Sequence, residues 1–120
     1  MFVRNLSIVA CAATLLSFSA GATPTPADGF IVVNADGTVA RASKGYDNFK
    51  FDVGAYEISY PTSLYNCAYS VTEGTSDATA PAEGFATVVG RAENPLIVHV
   101  QTYDASGQRA DRGFHLIVRC

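Results

Sequence analysis

The sequence predicts an all-β chain: an antiparallel two-sheet sandwich or small jelly roll of about seven to eight strands, closed by one disulfide. Three observations predict it. Apolar residues recur with a period of two, and no window of a dozen residues carries a helical stripe. Clusters of Gly, Pro, Asn and Asp separate the alternating runs. Two cysteines remain once an amino-terminal export segment is set aside, and an even number in an oxidising compartment points to a bridge. With 120 residues there is room for one hydrophobic core. A charged fraction of 16% and a net charge of −3 leave no basic stripe to neutralise phosphates, which argues against nucleic acid as a partner.

Residues 1–22 read as a signal peptide. Arg4 supplies the positive charge, Leu6 to Ala20 the apolar run, and Ala20-Gly21-Ala22 the small residues of a cleavage site. That run is shorter than the roughly 20 residues a bilayer crossing needs, so no membrane span is expected. Ile8-Val9-Ala10-Cys11 loosely matches a lipoprotein box, but too few apolar residues precede it, and anchoring through Cys11 is the weaker reading. Cleavage removes Arg4 and lowers the formal charge from −3 to −4.

Thr23 to Gly29, with two prolines, reads as an extended mobile leader, and the β domain as residues 30–120. GFIVV and TVARA flank Asn34-Ala35-Asp36-Gly37, a hairpin turn in which Gly37 takes the positive φ. In YDNFKFDVGAYEISYP a turn centred between Val53 and Gly54 sets Phe51 opposite Tyr56 and Phe49 opposite Ile58. All the large groups then share one face, with Lys50, Glu57 and Ser59 toward water. Pro61 ends that strand. Cys67, Tyr69 and Val71 share an inward face. Glu73 to Gly84 carries no strand signal and reads as a solvated loop, a place where rigid β scaffolds carry recognition, or else a plain spacer. FATVVGRA is the next strand, broken at Glu93-Asn94-Pro95.

LIVHVQTY and RGFHLIVRC read as a final pair joined by DASGQRAD. Setting Val98 opposite Val118 and Val100 opposite Leu116 puts Cys120 on the buried face, in agreement with an inward Cys67. A bridge between them closes a loop of 53 residue steps, worth about 4 kcal/mol in the chain-entropy account.

VNADGTVARAS, GAYEISY, CAYSVTEG and VHVQTYDASGQRADRGFHLIVRC, in that order, are similar to a group of small exported bacterial β proteins. Its pattern is an NADGT hairpin, a GxYxVxF strand, a CAY segment and a terminal FHLxVxC. The resemblance covers nearly all of the chain after residue 22; it implies an exported β domain with Cys67 paired to Cys120 and brings no catalytic residues. Ile58 and Tyr60 stand where the group shows Val and Phe. A looser likeness, of architecture alone, exists to the β heads of phage tail fibres and complement C1q-type trimers.

Residues that could carry chemistry are few. His99 and His115, in the register above, are diagonal neighbours on one solvent face, within reach of a shared metal but with no third ligand, so they read as surface histidines. There is no GxSxG elbow, and Asp52, Glu57, Asp104 and Asp111 sit near turns where acids are ordinary. The Asn34 to Gly37 turn fails a calcium-loop template at its first and twelfth positions, Val32 and Ser43. No catalytic residue, cofactor or metal is expected. Tyr46, Tyr65 and Tyr103, near strand ends, suit either sugar or protein contacts or a corner hydrogen bond. The expected function is a secreted, non-catalytic binding or structural module, with an extracellular protein or glycan as partner and oligomerisation left open. Its candidate binding loops carry Glu73, Asp77 and Glu83 in one and Asp104, Arg109, Asp111 and Arg112 in the other. A secreted inhibitor or toxin-like effector acting through those loops is the alternative, and a small hydrolase using His99 or His115 the third reading.

Overall fold

The structure of the chain, a computed structural model, describes Ala12, Thr14 and residues 27–79 and 83–120. The signal-like segment with Cys11, and residues 23–26 of the leader, lie outside the described residues apart from those two positions. Eight strands and no helix are found among the described residues: β1 Gly29–Val33, β2 Val39–Ala42, β3 Asp47–Asp52, β4 Ala55–Ser59, β5 Ala68–Glu73, β6 Phe85–Gly90, β7 Ile97–Tyr103 and β8 Phe114–Arg119. They form two antiparallel sheets, ordered β2-β1-β8-β5 and β3-β4-β7-β6. The edges of β5 and β6 pack together along one side, whereas β2 and β3 meet lightly on the other.

Alternation builds the core between the sheets. Ile31 and Val33 of β1, and Phe114, Leu116 and Val118 of β8, face Tyr56 and Ile58 of β4 and Val98 and Val100 of β7, all fully buried. Each such side chain contributes about 1.5–3 kcal/mol by leaving water, so these residues fix which face of each strand turns inward. Tyr56 meets Phe114 edge-on at 5.0 Å between ring centres, and its hydroxyl donates to the Ala35 carbonyl at 2.7 Å, tying the second sheet to the first hairpin. Cys67, just before β5, and Tyr69 and Val71 within it pack against this core, as their spacing predicts.

The first hairpin stands as read, with Gly37 at φ 91°. The second keeps its turn, Asp52 opposite Ala55, but a β-bulge at Phe51 shifts every pair beyond it by one. Lys50 therefore lies opposite Tyr56 and Asn48 opposite Ile58, so the sequence reading of Phe49 and Phe51 as core residues is overturned. Both rings emerge on the outer face. The open rim beside edge strand β3 makes this tolerable. Asn48 Nδ2 donates to the Gly37 carbonyl at 2.8 Å, and Lys50 stretches past the Tyr56 ring to Asp111 at 3.1 Å.

The proposed final hairpin is also corrected. β7 pairs with β4 and β6, and β8 with β1 and β5, so the two strands face one another across the core instead of sharing a ladder. The disulfide Cys67–Cys120 is present, with Cα atoms 4.0 Å apart. It extends the β5–β8 ladder just past the Ala68–Arg119 pair, within one sheet. Cys67 is half-buried and Cys120 exposed, where the sequence reading had put the bridge in the interior. The end of the leader belongs to the domain: Ala27 is buried, accepting a hydrogen bond from the Tyr46 hydroxyl, and Asp28 accepts from the Cys120 amide at 2.9 Å.

Candidate functional site

Strand polarity divides the sandwich into two ends. Turns 34–38 and 52–54, residues 74–79 and 83–84, and loop 104–113 gather at one, and the disulfide with segments 60–67 and 91–96 at the other. The seven candidate binding residues all fall at the first end, but most are occupied in holding it together. Asp111 Oδ1 accepts from the Gly54 amide at 2.8 Å and pairs with Lys50, and that backbone bond first, then Lys50, holds its carboxyl below the usual range. Asp104 and Asp77 accept hydrogen bonds from Ser106 and Gln108 and from Thr79 respectively, which likewise hold their carboxyls low. Arg109 makes a bridge to Tyr103, and Glu83 is exposed.

Glu73 overturns its reading as a loop contact. Its side chain is shut beneath Gly84, and Arg112, at 3.9 Å, is its ion-pair partner. Burial pushes its carboxyl up, and Arg112 offsets this only in part. The 74–79 stretch is likewise more than a solvated loop. It lies over the outer face of the first sheet, where Arg41 Nη1 donates to the Ser76 carbonyl at 2.9 Å and His115 Nε2 lies 2.9 Å from the Thr75 carbonyl. A carbonyl only accepts, so that ring nitrogen carries the proton. Val32, pointing outward from β1, is buried there.

His99 and His115 thus stand on opposite outer faces of the sandwich, and the shared-metal geometry is ruled out by the strand order. No cluster of three or more His, Cys, Asp or Glu side chains able to hold a metal occurs among the described residues.

The unspent chemistry lies on the outer face of the β3-β4-β7-β6 sheet. One row across it runs Phe49, Glu57, His99 and Val89 on four adjacent strands. Phe49 is 65% and Phe51 44% exposed, and Val89 and Phe85 are exposed as well. Arg91, just beyond β6, reaches back over this row. Its Nη2 donates to Glu57 Oε1 at 2.6 Å and lies 3.4 Å from His99 Nδ1, which as acceptor there leaves the ring proton on Nε2. The guanidinium sits 5.9 Å from the Phe51 ring centre, and that ring is 5.4 Å from His99. Burial first, then the charge of Arg91, holds the His99 imidazole below its usual value, so it is neutral at pH 7. Phe85 stacks on Tyr103 at 4.7 Å, and the Tyr103 hydroxyl donates to Gln101 Oε1 at 2.6 Å, continuing the face toward the loop end.

The three strand-end tyrosines separate. Tyr46 is a buried corner residue whose phenol is pushed up to about 12, chiefly by burial. Tyr103 belongs to the outer face, and Tyr65 is 74% exposed beside Arg91. Sequence reasoning missed Phe49, Phe51 and Arg91 as surface partners because the bulge that turns the rings outward leaves no trace in the alternation. Compared with known proteins, the chain matches no family model, no curated protein and no solved structure.

Proposed function

We propose that this chain is an exported, non-catalytic module that binds glycan on the outer face of the β3-β4-β7-β6 sheet. The observation that carries this is the placement of two exposed rings, Phe49 and Phe51, around the Arg91–Glu57–His99 group. Sugar rings present apolar C–H faces that lie on aromatic rings, and hydroxyls that donate to a carboxylate while accepting from a guanidinium. Both partners are here side by side. A protein-binding core also favours Phe and Arg but depletes Glu, so the Glu57 carboxylate at the centre of the row is what favours sugar hydroxyls. The face spans four strands, about 14 Å at ordinary strand spacing, enough for a short oligosaccharide.

Export is supported by the signal-like segment 1–22, by a disulfide of the kind oxidising compartments keep, and by the resemblance to small exported β proteins. No described helix is long and apolar enough to cross a membrane. The test is a glycan array probed with the chain lacking residues 1–22, followed by titration of Phe51→Ala. Binding to oligosaccharides that weakens about ten-fold or more in the variant supports the proposal, on the scale of one lost aromatic contact. Capture of protein ligands alone, or glycan binding indifferent to Phe51, overturns it.

A further inference from the structure

Beyond the platform, where the β5 and β6 edges meet at the disulfide end, lies a groove of about 260 Å³. Its walls are Tyr65, Ala92, Pro95 and Ile97, its inner side is Tyr69, and Arg91 and Gly90 join it to the platform. The volume falls just under the roughly 300 Å³ at which small-molecule sites begin, room for one sugar residue and its substituent. Gly90 closes β6 without a positive φ, and a Cβ built on it would meet nothing nearer than the Tyr69 hydroxyl at 3.4 Å, an ordinary contact. The fold therefore does not require glycine there. What its bareness does is keep the groove open, the role glycine takes in strands where a ligand comes close.

Arg91 decides what the groove accepts. Its charge is already matched by Glu57, and its Nε is buried without a partner, so the accessible donors are the terminal nitrogens. A carboxylate would set a second anion on one guanidinium, with no other cation among the lining residues. A neutral acceptor carried beside a small apolar group meets both the donor and the Pro95–Ile97 wall. We infer that the groove is a subsite for a 2-acetamido sugar, its carbonyl oxygen accepting from Arg91 and its methyl group resting against Pro95 and Ile97. This rests on the glycan reading of the platform and names the sugar class it selects.

The experiment is calorimetric titration of the chain lacking residues 1–22 with two probes of the same linkage, the β-1,4 trimer of N-acetylglucosamine and the β-1,4 trimer of glucose. The acetamido trimer is expected to bind about ten-fold tighter or more, the scale of one well-made hydrogen bond with its apolar contact. Gly90→Leu, which fills the groove, should abolish that preference and leave binding of the glucose trimer in place. Tyr65→Ala, at an exposed position, should reduce the preference and serves in place of Gly90→Leu if that variant does not fold. Equal affinity for both trimers, or a preference that survives in both variants, overturns the subsite and leaves the platform standing. Binding of neither trimer overturns the subsite, and the glycan array with Phe51→Ala decides the platform.

Discussion

The main-chain N–H of Gly54 donates to Asp111 Oδ1 at 2.8 Å, joining the β3–β4 turn to the β7–β8 loop across 57 residues of chain. Lys50 completes the clamp from the rim at 3.1 Å. The bond lowers the Asp111 pKa in the folded state, so the stability it provides is present above the unfolded value near 3.8 and lost as pH falls through the folded one. Asp111→Asn keeps an acceptor but not the charge. Because the carboxylate is partly exposed, the cost at pH 7 is about 1 kcal/mol after screening. Urea unfolding at pH 7 and pH 2.5 checks it, with the difference from wild type shrinking at the lower pH.

Glu73 gives the opposite slope. Its carboxyl is raised by burial, so the folded state holds the proton more tightly than the unfolded chain does. Stability is then full below about 4.5 and declines as pH rises through the folded pKa. Glu73→Gln keeps the shape of the side chain but removes the ionisable group, so the part of the pH dependence that Glu73 contributes should vanish in the variant. Thermal unfolding from pH 4 to pH 8 reads the result: the wild-type decline over that range should be smaller in the variant.

Two glycines with positive φ separate backbone strain from crowding. Gly107, at φ 88°, has nothing within 4 Å of a built Cβ, so Gly107→Ala should cost about 1 kcal/mol from conformation alone. Gly54, at φ 60°, would set a Cβ 2.5 Å from the Thr102 carbonyl oxygen and 3.0 Å from that of Ala110, neither of which can swing aside. Gly54→Ala should therefore cost about 3 kcal/mol or more, adding displaced backbone to the same strain. Midpoints of urea denaturation for the pair, at equal m values, make the comparison.

Phe51→Ala and Phe49→Ala test the outer face from the side of stability. Both rings stand on solvent, so their loss should shift the unfolding free energy by no more than about 0.5–1 kcal/mol. Tyr56→Ala, one strand over and fully buried, should cost about 3–5 kcal/mol. A Phe51→Ala variant that unfolds as readily as Tyr56→Ala would return that ring to the core and void the corrected register.

The alternation in β1, β4, β7 and β8 was readable because each of those strands has one face in the core, and period two records that directly. Strand partnership was not. Val98 and Val118 have the right pattern to pair across a hairpin, yet the same pattern serves strands stacked face to face, and periodicity does not distinguish the two. The bulge at Phe51 was invisible for a related reason. An edge strand leaves its rim open, so Lys50 reaches solvent from the inner side and polarity no longer marks the face. The 74–79 stretch looked solvated because its hold on the sheet runs through its own carbonyls, which any sequence possesses. The outer platform was hidden with them: Arg91, Glu57 and Phe51 come from three separate strands or their ends, and only the register brings them together.

The bridge between Cys67 and Cys120 acts on stability through the unfolded chain. It closes 53 residues, and it does so at the end of the β5–β8 ladder, where the ladder would otherwise be free to fray. Paired Cys67→Ser and Cys120→Ser should lower the unfolding free energy by about 4 kcal/mol, or the melting temperature by about 15–30 °C for a domain of this size. A fully interior bridge would add a packing loss at both sulfurs; the observed one, with Cys120 exposed, adds only the smaller loss at half-buried Cys67. Hydrogen exchange distinguishes the two. In the reduced chain, amides of β5 and β8 nearest the bridge should lose protection first, whereas those of β4 and β7 should keep theirs until the domain unfolds as a whole.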